Sequence, residues 1–206
     1  MNALDTSIKK GRKFDQVLEG ARAVFMRDGF EGASVDEIAK EAGVSKATLY
    51  SYFPDKRLLF MEVAKCECSR QADTAIATID MSHPPAVVLY QTGTHMIRFF
   101  LSDFGQKVFR ICVAETDRFP ELGCEFYESG PAVVESTLCH YFDLAIARGE
   151  LQIDDRALAA HQFAELCKAQ LFPRLVFGVQ SKFSTDEIDK VIRSAVEMFV
   201  ARYGVR

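Results

Sequence analysis

Apolar residues recur along this chain at intervals of three and four, the spacing of helices that each bury one face. Phe14, Val17, Leu18, Ala21, Val24 and Phe25 mark a first helix that stops at Gly29. Ser34, three residues before Glu37, reads as a capping box: its hydroxyl accepts the Glu37 amide while the carboxylate reaches back, which starts a second helix. Ser45 caps a predicted third. Asp55 caps a fourth that runs towards Ile79, about 37 Å if unbroken at 1.5 Å per residue. His83-Pro84-Pro85 ends it. A fifth helix is predicted from Ala86 to Leu101 and a sixth from Gly105 to Arg118, where Phe119-Pro120 stops it because a residue before proline is pushed out of helical geometry. Gly130-Pro131 opens another that Gly149 closes. Asp154 or Asp155 starts the next. A second capping box, Ser184 with Glu187, starts the last, where Ile188, Val191, Ile192, Ala195, Val196, Phe199 and Val200 keep helical spacing. No segment alternates as a strand does. The expected fold is all-α, with roughly nine helices.

One predicted helix lacks an apolar face because it is apolar on nearly every side. From Leu158 to Phe172 the run includes Ala159, Ala160, Phe163, Ala164, Leu166, Cys167 and Leu171. Such a helix must be covered all round. Either it is the centre of its own core, or it is wedged between that core and a second subunit. The apolar stripe of the last helix favours a dimer built from these two helices.

The stretch EIAKEAGVSKATLYSYFPDK, Glu37 to Lys56, carries two short helices joined by a tight turn. Ala39 is small enough for a close crossing, and Gly43 suits the left-handed turn. Ile38, Ala42, Val44, Leu49 and Tyr52 are spaced to form a miniature core. That is a helix-turn-helix, whose second helix lies in the DNA major groove with its N-terminal residues against the bases. Lys46, Ala47, Thr48, Tyr50 and Ser51 are left facing outward. Ammonium, hydroxyl and phenol groups suit phosphate oxygens and base edges, and Ala47 allows close approach or contact with a thymine methyl. The ring of Tyr52 reads as packing; Tyr50 is open to either role.

Residues 12 to 63 resemble the DNA-binding domain of the TetR (tetracycline-repressor-like) family of transcriptional regulators. The similar positions include Ala23, Phe25, Gly29, Phe30, Ser34, Ile38, Ala39, Ala42-Gly43-Val44-Ser45, Thr48-Leu49-Tyr50, Tyr52-Phe53, Lys56 and Leu59. The resemblance implies that Ser34, Ser45, Thr48, Tyr50, Tyr52 and Lys56 contact phosphates, while Lys46, Ala47 and Ser51 lie near bases. A looser likeness to the AefR-like C-terminal type rests on Glu115, Arg118-Phe119-Pro120-Glu121-Leu122, Phe126-Tyr127, Gly130-Pro131, Arg148-Gly149-Glu150-Leu151 and Gln162-Phe163. It implies a helical dimerisation and effector-binding domain. The expected organisation is a DNA-binding domain over residues 1–54, with a basic arm over 1–11, and a dimerisation and effector domain over 55–206. The expected partners are palindromic double-stranded operator DNA, a second copy of the chain, and a largely apolar small-molecule effector that releases a repressor.

Charge refines this picture. The net charge of −4 argues against wholesale coating of nucleic acid. Yet Met1 to Arg70 holds 12 Lys+Arg against 11 Asp+Glu, a balance of +1, while the remainder holds 13 against 18, a balance of −5. The basic excess is densest at Lys9, Lys10, Arg12 and Lys13, where an arm is either merely solvated or reaches for phosphates.

The six cysteines, at 66, 68, 112, 124, 139 and 167, show no CxxC spacing, so neither a zinc knuckle nor a dithiol redox site is indicated. The first twenty residues carry charges where a secretory leader needs an apolar run, and no run approaches membrane-spanning length. Reduced thiols and a cytoplasmic location are expected. No Walker loop, GxSxG elbow, HExxH or GxGxxG is present, which argues against an enzyme and against a cofactor. Ser7-x-x-Lys10 is read as a chance match. An effector pocket is expected among the middle helices, with His95, Phe99, Cys112, Glu115, Tyr127 and Phe163 as its candidate residues. Phe100, Phe104, Phe109, Phe126, His161 and Gln170 are further candidates, although phenylalanines at this spacing also read as plain core. His161 and Glu165 share a helix face, but no metal site is expected.

Overall fold

Side-chain oxygens stand where the backbone leaves amides without partners, and helices start there. In the computed structural model, which describes residues 11–205, both capping boxes form: Ser34 Oγ accepts the Glu37 amide at 3.1 Å and Ser184 Oγ accepts that of Glu187 at 3.2 Å. Ser45, Asp55 and Asp155 cap three further helices. The order is α1 Arg12–Gly32, α2 Val35–Glu41, α3 Lys46–Tyr52, α4 Lys56–Thr78, α5 Pro85–Leu101, α6 Asp103–Glu115, α7 Pro120–Ser129, α8 Pro131–Ala147, α9 Arg156–Lys168, α10 Leu171–Val176 and α11 Thr185–Tyr203. Lys9, Lys10 and the Ser7-x-x-Lys10 spacing lie outside the described residues.

Among the described residues there are eleven helices where roughly nine were expected, and prolines explain both additions. Pro120 ends one helix but also occupies the first position of another, α7, where its missing N–H is no loss. The segment from Leu158 to Phe172, apolar on nearly every side in sequence, is two helices. Continued through Pro173, a single helix would lose an amide and press the ring against the Ala169 carbonyl. The chain instead breaks at Gln170, with φ 63°, and restarts so that Pro173 falls in the first turn of α10. α9 is then ordinary: Ala159, Ala160, Phe163 and Cys167 are buried, while Leu158 and Gln162 face out. The stripe of α11 likewise turns Ile192, Ala195, Val196 and Phe199 into the chain's own core, so these four residues are not a surface awaiting a partner.

Two apolar cores form. The first joins α1 to the first half of α4 with Val108 and Cys112 of α6 and Leu122 of α7. The second joins α5, α8, α9 and α11 around Phe142, Phe163 and Phe199. In the first, α1 crosses α2 at a point of unusual closeness: a Cβ on Gly20 would lie 2.6 Å from the Ala42 backbone nitrogen and 2.7 Å from its Cα. α4, 23 residues long, begins in the first core and leads to its C-cap, Ile79, in the second.

Candidate nucleic-acid interface and effector chamber

The turn between α2 and α3 is made by one residue's backbone. Gly43 has φ 63°, and nothing lies within 4 Å of a Cβ built there, so conformation rather than space requires glycine. The Val44 amide donates to the Ala39 carbonyl at 3.0 Å and closes the turn. α3 is then held from beneath by Leu49, which is fully buried with Ile38, and by Tyr52, whose ring meets Phe14 edge-on at 5.7 Å. Packing therefore accounts for the Tyr52 ring.

The other side of α3 faces solvent. Ser45, Lys46, Ala47, Tyr50 and Ser51 are exposed, as is Ser34 at the start of α2; Thr48 is half-buried. Several of these groups already have partners. Ser45 Oγ accepts the Thr48 amide at 3.1 Å and shares a hydrogen bond with Thr48 Oγ1 at 2.9 Å. Ser51 Oγ donates to the Thr48 carbonyl at 2.6 Å. Lys46 forms an ion pair with Asp36 of α2. The result is a short rigid helix whose N-terminal turn presents ordered hydroxyls and one lysine.

Lys56, expected at a phosphate, is already engaged within the chain. Its ammonium points inward, donating to the carbonyls of Phe30 at 2.8 Å and Ala33 at 3.0 Å, and it sits 4.5 Å from the centre of the Phe30 ring. It secures the carbonyl end of α1, and only one of its three N–H groups remains for any other partner. Lys56→Met should therefore lower stability by about 2 kcal/mol, the range for hydrogen bonds from a charged group. A urea titration without DNA measures this, and an unchanged midpoint would return Lys56 to the phosphate role.

Behind the helix-turn-helix, α4 carries a buried charge. Glu67 is only 2 % exposed. Its carboxylate accepts from Arg22 of α1 at 3.0 Å, from Arg70, and from Gln71 at 2.9 Å. Burial pushes this carboxyl upward, but the hydrogen bonds from Arg70, Gln71 and Arg22 outweigh it and bring its pKa down to about 2. α4 is also tied to α6 by Arg57–Glu115 at 3.0 Å and to α7 by Lys65–Glu125 at 3.4 Å.

Between the two cores lies a chamber of about 660 Å³, within the range of small-molecule sites. The second half of α4, α5, the end of α7, α8 and α9 form its walls, and α1 contributes Met26. His95, Phe99 and Tyr127 of the candidate pocket residues line it, as do Phe100, Phe104, Phe126 and His161. Three expected pocket residues do not. Cys112 is buried in the first core with its sulfur 3.7 Å from that of Met61. Glu115 pairs with Arg57 instead. Phe163 packs on Phe199 at 5.5 Å within the second core. Phe109 and Gln170 are also absent from the walls. Gln71 and Met26, which do line the chamber, carried no signal in the sequence, because nothing local marks a helix position that faces a cavity.

Burial raises the thiol of Cys68 on the chamber wall, and those of Cys112 and Cys167 in the two cores, to about 12, leaving them protonated and unreactive at neutral pH. His161 bonds Glu135 of α8 at 2.9 Å, while Glu165 pairs with Lys168 rather than sharing a metal with His161. Among the described residues no group of three or more His, Cys, Asp or Glu is gathered as a metal would need. No described helix is long and apolar enough to cross a membrane.

Comparison with known proteins places this geometry in context. Residues 17–63 match the family described as bacterial regulatory proteins, tetR family, and residues 87–205 match the AefR-like transcriptional repressor C-terminal domain. A TetR-family regulator structure from Mesorhizobium loti MAFF303099 is 30 % identical over 94 % of this chain and 98 % of its own, with a TM-score of 0.78. The flavonoid-responsive regulator FrrA is 33 % identical over 96 % of this chain and 100 % of its own, with a TM-score of 0.72. The transcriptional repressor AcnR of Corynebacterium efficiens is 37 % identical over 59 residues, 29 % of this chain. That likeness spans only 31 % of AcnR itself.

Proposed function

The chain belongs to the TetR family of bacterial transcriptional regulators, and from that premise we propose that it is a homodimeric, operator-specific repressor released by a small molecule bound in the chamber. The proteins it resembles are regulators rather than enzymes. The observation that carries the proposal is the exposed N-terminal turn of α3, braced from beneath by Leu49 and Tyr52. Lys46, Ala47 and Ser51 approach base edges; Ser34, Ser45, Thr48, Tyr50 and the Tyr52 hydroxyl approach phosphates. The reading function belongs to residues 1–54 and the dimer and effector functions to 55–206. Exposed Leu158 on α9 and Met198 on α11 supply apolar contacts for the second copy. The dimer works in the cytoplasm, on a palindrome whose half-sites mirror its two-fold symmetry.

The switch needs a route from chamber to reading head, and two short ones exist. Met26 belongs to α1 yet borders the chamber. Gln71 also borders it and hydrogen-bonds Glu67, which in turn holds Arg22 of α1. A ligand that displaces Gln71 or presses on Met26 moves α1, and α2 moves with it because the two cross at Gly20. The ligand then favours a spacing of the two heads that the operator does not, and operator binding weakens the ligand by the same factor. A flat aromatic effector is supported by the rings of Phe99, Phe104, Phe126 and Tyr127, and by the flavonoid response named for one similar protein.

Footprinting on the DNA upstream of the chain's own reading frame tests the regulator directly. A protected palindrome is expected. Equal binding to random fragments would replace the proposal with a nonspecific role. Lys46→Ala should weaken binding, lower the salt slope by about one unit and relax preference at one position of each half-site. An unchanged footprint pattern would remove Lys46 from base reading.

A further inference from the structure

The charged groups on the chamber wall do not balance locally. The chamber is bordered by two basic side chains, Arg98 and Lys168, and two carboxylates, Glu135 and Glu165. Both carboxylates are engaged: Glu165 by Lys168, and Glu135 by His161 at 2.9 Å. That leaves Arg98 on α5 with no carboxylate, hydrogen-bond acceptor or ring among the described residues. One turn earlier on the same helix, His95 also borders the chamber and is likewise without a partner. Position in the last turn of α5 suits any cation, since the helix C-terminus is electronegative. That accounts for Arg98 as a charge. It does not account for a second unengaged nitrogen donor on the same wall of a chamber lined with rings that would hold a flat ligand.

We infer that the effector is an aromatic anion, a carboxylate or an ionised phenol, whose charged oxygen is held by Arg98 with His95 beside it. The inference rests on the chamber being the effector site and adds the ligand's charge and its direction. The aromatic body lies among Phe99, Phe104, Phe126 and Tyr127, and the anionic end points to α5, where both donors are exposed at the chamber's mouth. A guanidinium presents paired N–H groups to a carboxylate and a single one to a phenolate, so it serves either source. Because the seat is open to water, its contribution is modest and falls with salt.

Calorimetric titration of the full chain with three probes tests this: 4-coumarate, its methyl ester, and the flavanone naringenin at pH 7 and pH 9. The acid should bind about tenfold more tightly than its ester. Arg98→Gln should remove that preference while leaving ester affinity within twofold, and Arg98→Lys should keep it. If ionised phenols are the natural source, naringenin should gain affinity from pH 7 to pH 9 in the wild type and not in Arg98→Gln. Ester binding equal to acid binding, or a loss that is the same for both in Arg98→Gln, would overturn the anion seat and leave the aromatic chamber intact. Binding of none of the three would overturn both.

Discussion

Replacing Gly20 by alanine is expected to destabilise the chain by about 2–3 kcal/mol and to weaken operator binding with it. In an exposed helix the same exchange would stabilise by about 1 kcal/mol, because alanine is the better helix former. Here the added methyl meets the backbone nitrogen and Cα of Ala42 at 2.6 and 2.7 Å, and backbone cannot swing aside as a side chain can. α1 and α2 must separate, and α2 carries the turn that aims α3. A urea titration should show a lower midpoint with an unchanged slope. If the alanine variant proves as stable as the parent, the helices cross at a greater distance than described, and the mechanical link from α1 to the reading helix loses its basis.

Removing Glu67 is the second large effect. Glu67→Ala leaves Arg22, Arg70 and Gln71 without their common acceptor and should lower stability by about 3 kcal/mol, the cost of breaking a buried pair. Glu67→Gln is the sharper variant, because it keeps the shape and removes the charge. The pH dependence follows from the carboxyl's fall from an ordinary 4.5 to about 2 on folding. A depressed pKa means that the ionised group stabilises the fold fully above pH 4.5, and that this contribution is lost as pH falls towards 2. Parent stability should therefore decline over that window, and the decline should be shallower in Glu67→Gln. Equal acid profiles would mean that Glu67 is solvated rather than locked to α1. The glutamine variant should also uncouple operator from effector, since the link from Gln71 to Arg22 then lacks its charge.

Much of this is legible in the sequence, and the part that is not has a pattern. Caps, glycine turns and the outward face of α3 are local: Ser34 and Glu37 meet because they are three apart, whatever the rest of the chain does. Proline is also local but ambiguous. Pro120 ends one helix and begins another, and reading only the first of these roles hid α7. Pro173 split an apparently continuous apolar run that periodicity alone had joined. Contacts across the fold were out of reach. Phe99 and Phe163 are both phenylalanines at helical spacing; one faces the chamber and the other Phe199, and no neighbour in sequence distinguishes them. Lys56 carried the signal of a surface cation, yet its partners are 26 and 23 residues away. Gly20 sits in an unremarkable amphipathic helix, and its importance lies in Ala42.

The first core has one more implication, for anyone who would recombine such regulators. Val108, Cys112 and Leu122 fill it from α6 and α7, far along the chain from the reading helix. A chimaera spliced at the end of α3 would give the transplanted head a foreign α6 and α7, and Phe60 and Met61 would meet side chains that were never shaped for them. Swapped specificity therefore calls for a two-part exchange, residues 1 to about 65 together with the inward positions of α6 and α7.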